Sequence, residues 1–550
     1  MNTLTSFQNS FIAYLSHTFA LDDKTLRPCM PTLNTDETRQ QFGDFSTNAA
    51  LVLARHLGRK PAEIAAQISQ EFTHELLEKI EPAGPGFLNL FLTQDAFDNI
   101  ARELLQEEKT FFKAPDGQPR HHYSVEFVSA NPTGPLHFGH GRGGIIGDVL
   151  GNVLRFLGHE VTKEYYINDA GSQMKKLGVS FKVRCQQALG IDVAMPEDGY
   201  QGQYLVDFAR ECVDTHGQAV LENPEQFFID YAEERMLTRI KETLNTYGIY
   251  FDVWFSEKSL HKSGAIDAVL KQLSDAGYLY EDDGALWFKS TEFGDDKDRV
   301  VRKASGELTY IAADIAYMKN KVERGADQLI MVLGHDHHGY VSRLQGIHEA
   351  LGLEEAPLAV ILYQLVKLRE GGEQLRMSKR AGTMVTLADV IDTVGTDVAR
   401  FFYLNRKADA QLEFDLDLAL TKSEENPVYY IQYAYVRTGS ILQKASEVAG
   451  LAQIVSDDAA GLSVDERLIL KKIVSLREIL HNIATNHQTH LLAYYALELA
   501  QTFSRYYAKH RVVDPQHVSQ SRARLLLVQI VRSTLTTVLD LLGLSKPERM

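Results

Sequence analysis

Cysteine is scarce. Cys29, Cys185 and Cys212 are the three in 550 residues, odd in number and without a CxxC pair, so they build neither a disulfide framework nor a cysteine zinc site. Long apolar runs are missing too. No stretch reads as a membrane span, and the first residues lack the charged start and apolar core of a signal peptide, which sets the expectation of a cytoplasmic location and no membrane partner. Positive charge is in deficit, with 57 Lys and Arg against 73 Asp and Glu and a net charge of −16. That argues against a protein coating nucleic acid indiscriminately, because such binding rests on neutralising phosphates, but it leaves room for local basic surface. The last fifty residues supply one: Arg505, Lys509, Arg511, Arg522, Arg524, Arg532, Lys546 and Arg549 face only Asp514, Asp540 and Glu548. The remaining composition, 44% hydrophobic and 24% charged, is that of an ordinary globular chain long enough for about three domains.

What is present is a Pro- and Gly-rich turn between a strand and a helix. Tyr123-Ser124-Val125-Glu126-Phe127-Val128 has the β-branched and aromatic content of a strand, and the spacing of Ile145, Val149, Val153 and Leu157 predicts a helix stopped by Gly158. A second strand is predicted over 161–167. The turn itself runs Ser129-Ala130-Asn131-Pro132-Thr133-Gly134-Pro135-Leu136-His137-Phe138-Gly139-His140-Gly141. At a helix start the first amides have no intrahelical partners and carry partial positive charge, an arrangement that holds phosphate. His137 and His140, three apart, fall on one face, and Gly139 between them removes a side chain so that a ligand can approach the backbone. Alone, the same turn is equally a capped helix start.

Two further stretches narrow the choice. The apolar run 358–368 and the turn Glu370-Gly371-Gly372 lead into Leu375-Arg376-Met377-Ser378-Lys379-Arg380-Ala381-Gly382-Thr383, where three cations crowd one loop beside a hydroxyl and need an anion or solvent among them. Helix amides and imidazoles on one side with a Lys/Ser loop on the other have the form of an ATP site. The apolar run Leu329-Ile330-Met331-Val332-Leu333 predicts a buried strand opening into Gly334-His335-Asp336-His337-His338-Gly339. Four adjacent loop residues do not converge on one ion and no HExxH partner follows, so a ligand-lining loop at the carboxyl end of a parallel strand is expected, with no structural metal.

His137-Phe138-Gly139-His140 resembles the HIGH signature of class I aminoacyl-tRNA synthetases, and Arg376-Met377-Ser378-Lys379-Arg380 resembles their KMSKS loop, with Arg for the first Lys and for the last Ser. The stretch 126–137, Tyr166-Ile167-Asn168-Asp169, Leu308-Thr309-Tyr310 with Asp314, and Asn426-Pro427-Val428-Tyr429-Tyr430-Ile431-Gln432-Tyr433-Ala434 together resemble the arginyl-tRNA synthetase family over nearly the whole chain. The resemblance implies a ligase that activates arginine with ATP and Mg2+, releases pyrophosphate and passes arginine to the 3′ end of arginine tRNA, acting as a monomer. It gives His137, His140 and Lys379 to catalysis, and Gly139, Arg376, Ser378, Asp336 and His338 to ATP. It places Glu126, Asn131, Asp169, Tyr310 and Asp314 around arginine, and Tyr429, Tyr433, Arg437 and Arg511 on the tRNA. A guanidinium has five donors and no acceptor, so carboxylates are its natural partners. The family's usual His-Ala-Arg is Tyr435-Val436-Arg437 here.

The fold expected is α/β: a Rossmann-like parallel sheet with an inserted domain, an N-terminal α+β module and a C-terminal helical bundle. Helical spacing over 62–80 and a strand at 86–92 belong to the first module, residues 1–112, which 114–119 link to the rest. The catalytic halves are expected at 120–190 and 301–390, around a mostly helical insertion at 191–300 with a hairpin near 280–288. Helices over 420–439, 464–485, 490–510 and 522–542 make the anticodon-binding bundle, 391–550. Two other readings stay open from residues alone: a small-molecule nucleotidyltransferase, and a non-catalytic RNA-binding or His-metal protein.

Overall fold

The computed structural model describes residues 3–113, 118–374 and 385–550. Helix Thr3–Phe19 buries Leu4, Phe7, Phe11 and Leu15, spaced three or four apart, so one stripe faces the core. It packs with an antiparallel sheet of β1 (Thr32–Leu33), β2 (Phe45–Thr47), β3 (Leu77–Ala83) and β4 (Phe87–Leu92), in the order β1-β2-β4-β3. The helix expected over 62–80 is shorter, Pro61–Glu71, with Pro61 in its first turn. Leu77 and Ile80 mimic a helical spacing, but they pair with Leu92 and Leu90 across β4.

The second sheet positions the site. β5 (His122–Phe127), β6 (Glu160–Ile167) and β7 (Val253–Ser256) are followed by a small antiparallel sheet, β8 (Leu279–Asp282), β9 (Ala285–Phe288) and β10 (Arg299–Arg302), and then by β11 (Gln328–Gly334) and β12 (Leu358–Tyr363). The parallel order is β12-β11-β5-β6-β7, so the chain reverses its direction of winding between β5 and β11. Ligands of open α/β sheets bind at the carboxyl ends of strands where that reversal opens a crevice. The region expected as an insertion thus contributes an edge strand: Val253–Ser256 is only four residues long, too short for its period to be read. The apolar run 358–368 likewise divides into β12 and β13 (Val366–Glu370), which pairs with β14 (Glu373–Gln374) and β15 (Leu412–Asp415).

Helix His140–Phe156 lies close on this sheet because Gly143, Gly147 and Gly151 repeat every four residues along one face. A Cβ at Gly143 would meet Tyr363 at 2.6 Å, at Gly147 Phe127 at 2.2 Å, and at Gly151 Lys163 at 2.6 Å. Gly147→Ala is therefore expected to lower the thermal unfolding midpoint. Alanine gains about 1 kcal/mol of helix propensity, but overpacking against a buried ring costs about 1–3 kcal/mol and here requires the Phe127 ring to move. An unchanged midpoint would show that the helix and β5 part without penalty.

The C-terminal bundle comprises Pro427–Ser446, Val464–Val474, Leu476–Asn486, His490–Lys509 and Val518–Leu542. The expected helix at 420–439 starts later, where Asn426 caps it and Pro427 opens it, and the one at 464–485 is two, divided at Ser475. The expectation that no run has membrane length needs correction at Val518–Leu542, which is long and apolar enough by composition to span a bilayer. Its apolar residues, Leu526, Val531, Leu535 and Val538 among them, are buried in the bundle, and this accounts for their density. Catalytic and C-terminal parts meet at a buried triad. Asp148 accepts from Lys163 Nζ at 2.6 Å and from Arg400 at 2.5 Å, while Arg400 also donates to the carbonyls of Tyr247 and Leu542, both at 2.9 Å. The two cations hold the Asp148 carboxyl below its usual range against the opposing pull of burial.

Candidate active site

The chain leaves β5 through Val128 and Ser129 at φ of 67° and 39°, a left-handed turn costly for any residue with a Cβ and more so for β-branched valine. The turn is held by its own hydrogen bonds. Ser129 N–H donates to the Phe127 carbonyl at 2.9 Å, the Ser129 hydroxyl donates to Glu126 at 3.1 Å, and Tyr166 N–H donates to the Ser129 hydroxyl at 3.1 Å. The strained turn thereby fixes the Glu126 carboxylate.

The two motif histidines stack, with ring centroids 3.8 Å apart. Gly139 N–H donates to Nδ1 of His137 at 3.0 Å and His137 N–H donates to Nδ1 of His140 at 3.1 Å. An imidazole accepting at Nδ1 carries its proton on Nε2, so both rings present Nε2–H as a donor. Gly139 also makes room within the motif itself: a Cβ there would strike the His137 ring at 2.8 Å, so its bareness admits the imidazole. Arg376, Ser378 and Lys379 lie outside the described residues, but the chain returning from their loop is fixed beside the motif. Phe138 N–H donates to the Val385 carbonyl at 3.2 Å, and Leu387 N–H to the Leu136 carbonyl at 2.8 Å. Thr386 then caps the next helix reciprocally with Asp389.

Asp336 and His338 lie in the short 3-10 turn His335–Tyr340 that follows β11, the strand beside β5. The His335 and His338 rings stack at 5.4 Å, and His338 Nδ1 lies 3.2 Å from the His335 carbonyl. Among the described residues no three His, Cys, Asp or Glu side chains converge on a point that would hold a metal.

Next to this crevice three carboxylates arrive from three elements. Glu126 lies on β5 and is almost wholly buried; besides Ser129 it accepts from Lys321 Nζ in a buried ion pair. Asp314 lies on helix Tyr310–Glu323 and accepts from the Tyr340 hydroxyl. Burial pushes its carboxyl up to about 7; the Tyr340 hydrogen bond opposes this, the Glu257 and Glu126 charges reinforce it, and Arg343 opposes it. Glu257, immediately after β7, is the third. Sequence reasoning missed Glu257, Lys321 and Tyr340, because each meets its partner across a long sequence gap. Asp169 is buried behind them, accepting from the Ser256 hydroxyl and, at 2.9 Å, from Lys258 N–H. Asn131 is exposed and donates to Gln173 Oε1 at 3.1 Å. Tyr310 is exposed, and its hydroxyl lies 3.6 Å from where a Cβ would stand on Gly171.

The nucleic-acid candidates lie far along the chain. Arg437 packs over the Tyr433 ring at 4.5 Å and the Tyr507 ring at 5.2 Å, a half-exposed stack, with Tyr429 half-buried one turn earlier and Arg511 exposed. Tyr435 faces inward under Arg532. The basic tail is less free than its sequence implied: Arg505, Arg522, Arg524 and Lys546 pair with Glu37, Asp458, Glu466 and Asp540. A cavity of about 830 Å³ opens at the opposite end of the sheet, lined by residues such as His121, His159, Pro357 and Arg477. None of the predicted site residues lines it, and it lies at the amino ends of the strands rather than at the ligand-binding ends.

A parallel sheet with a stacked HxGH pair at its winding reversal is the catalytic architecture of a class I aminoacyl-tRNA synthetase, and the family profile described as tRNA synthetases class I (R), catalytic domain, matches residues 100–402. The arginyl-tRNA synthetase N-terminal domain matches 6–92 and the DALR anticodon-binding domain 431–550. The chain is 42% identical over 535 residues to Arginine-tRNA ligase 1 of Halalkalibacterium halodurans, covering 94% of this chain and 96% of that one. To the Arginine-tRNA ligase of Bacillus subtilis it is 41% identical over 515 residues, 92% of each. The Thermus thermophilus arginyl-tRNA synthetase structure, at 22% identity, has the same fold with a TM-score of 0.76 over 99% of this chain and 100% of that one. This chain belongs to the arginyl-tRNA synthetase family.

Proposed function

We infer that the protein is an arginine-tRNA ligase. Its substrates are arginine, ATP entering with Mg2+, and arginine tRNA; its products are AMP, pyrophosphate and arginyl-tRNA. The arginine carboxylate attacks the α-phosphorus, pyrophosphate leaves, and the terminal ribose hydroxyl of the tRNA then takes the arginyl group. No covalent enzyme intermediate is required, so the protein's work is positioning and charge stabilisation. The Nε2–H groups of His137 and His140 are suited to the α-phosphate and the bridging oxygen, next to the start of helix His140–Phe156. Lys379 neutralises the leaving pyrophosphate, with Arg376 and Ser378 in the same loop, and Gly139, Asp336 and His338 line the nucleotide. Glu126, Asn131, Tyr310 and Asp314 surround arginine, with Asp169 supporting them. Tyr429, Tyr433, Arg437 and Arg511 meet the tRNA, where unstacked anticodon bases can lie on aromatic faces.

The division of labour follows the chain: 1–112 contacts the tRNA, 120–190 and 301–390 carry the chemistry, 191–300 between them adds a mostly helical insertion together with the edge strand β7 of the catalytic sheet, and 391–550 binds the anticodon. The protein acts as a monomer in the cytoplasm. The observation that carries the reading is the meeting of the HxGH turn with a buried carboxylate site suited to a guanidinium. Arginine-dependent ATP–pyrophosphate exchange tests it, with lysine and glutamate as controls and with or without total tRNA. Exchange is expected with arginine alone and only when tRNA is present. Folded protein that gives no exchange under any condition would defeat the proposal.

A further inference from the structure

Arg142 lies two residues after the second motif histidine, on helix His140–Phe156, and is 0% exposed. Its Nη1 donates to the carbonyls of Gln364 and Ala410 and its Nη2 to that of Lys407, all at 2.8 Å. Among the described residues no carboxylate bonds to it, and its Nε has no partner. The charge of Asp409 reaches it, but that carboxylate is exposed and pairs with Lys407, and burial pulls the guanidinium below its usual range. A buried cation without a bonded counter-ion is costly, and an apolar side chain of similar volume would fill the space without that cost, so stability alone does not account for it. What a guanidinium adds is a rigid planar fork that fixes several acceptors at once.

The three carbonyls belong to one small unit. Gln364 joins β12 to β13, while Lys407 and Ala410 lie between helix Thr396–Leu404 and β15. β13 and β15 pair in parallel, and Gln364 N–H donates to the Ala408 carbonyl at 2.9 Å. β13 also pairs with β14, and the sequence that holds Arg376, Ser378 and Lys379 follows β14 directly. Arg142 thus ties the platform ahead of that sequence to the first turn of the HxGH helix, while the Phe138–Val385 and Leu387–Leu136 bonds tie the chain behind it to the same turn.

We propose that Arg142 is a positioning residue for amino-acid activation: its fork pins the β13–β14–β15 platform to the HxGH helix, so that the chain carrying Lys379 starts from a fixed place relative to His137 and His140. Activation divides the reacting phosphates between groups on these two sides, and a misplacement of about 1 Å in such an arrangement costs on the order of a hundredfold in rate. Arg142 itself touches neither substrate nor reacting atoms, because its bonded donors all end on backbone carbonyls.

The inference rests on the ligase reading, and the test keeps the two apart. R142K retains the charge but replaces the fork with a shorter, compact ammonium that does not span the same acceptors. In tRNA-dependent exchange it is expected to lower kcat about tenfold to thirtyfold, with the KM values for ATP and arginine within about threefold. In a Lys379→Ala background the same change is expected to cost less than about threefold more, because both losses act through one segment. Amide hydrogen exchange in R142K is expected to quicken at 364 and 407–410 but not at 123–127 in β5. R142Q, uncharged but still a double donor, is the second variant and is expected to give the same pattern. An equal loss from R142K with and without Lys379 overturns the proposal, as does a raised KM for ATP at unchanged kcat, which would make Arg142 a binding charge. Faster exchange throughout the catalytic sheet, or failure of both variants to fold, marks a structural role and also overturns it. A wild type without arginine-dependent exchange defeats the ligase reading as well, whereas additivity in an active enzyme defeats this proposal alone.

Discussion

Asp314→Asn is expected to raise the KM for arginine roughly a hundredfold, while the KM for ATP stays within about twofold; exchange kinetics at saturating ATP and tRNA measure both. The size follows from leaving a desolvated guanidinium without its charge partner, which costs more than an exposed ion pair of about 0–1 kcal/mol. A pH profile sharpens the test. The Asp314 carboxyl of the free enzyme sits at about 7, so below that pH it is largely protonated and a cation must displace the proton to bind. Arginine kcat/KM is therefore expected to be flat above pH 7 and to fall about tenfold per unit below it, with the bend lost in Asp314→Asn. Glu126, Glu257, Tyr340 and Arg343 face the same group, so a bend that survives the substitution would move the titration to one of the carboxylates.

Lys379→Ala is expected to lower kcat by about 10²–10³ with a smaller change in the KM for ATP. Charge on pyrophosphate builds as the bond to the α-phosphorus breaks, so a cation placed there acts chiefly in the transition state. A raised KM for ATP with an unchanged kcat would reduce the loop to a binding element. The stem hydrogen bonds from Phe138 to Val385 and from Leu387 to Leu136 set the loop's exit beside the imidazoles, so a defect in its placement should also disturb the HxGH turn.

The HxGH turn was legible because its signal is local. His137, Gly139 and His140 lie within four residues, and the strand before them and the helix after them each carry their own period. The glycines at 143, 147 and 151 were visible in the sequence as well, but what they do depends on Phe127, Lys163 and Tyr363 arriving on the other side. Glu257 was not legible for a related reason. It follows a four-residue edge strand and opens a seven-residue helix, neither long enough to show a pattern, and its partners are on β6 and helix Tyr310–Glu323. Leu77 and Ile80 misled because a spacing of three fits a helix as well as a strand with a register shift, and β3 has one between Leu77 and Lys79. The basic tail misled because net charge along a sequence says nothing of Glu37, Asp458 and Glu466, which reach it only after folding.

Arg400 has a consequence for how the protein is made. One of its anchoring carbonyls belongs to Leu542, 142 residues further along the chain. At translation rates of about 5–20 residues per second, that acceptor is synthesised roughly 7–30 s after Arg400 itself. During this interval the catalytic sheet can form, but the cation beneath its glycine-faced helix lacks a partner it will have when finished. A nascent chain should therefore acquire its protease-resistant catalytic core late, in a single step with the closing of the C-terminal bundle.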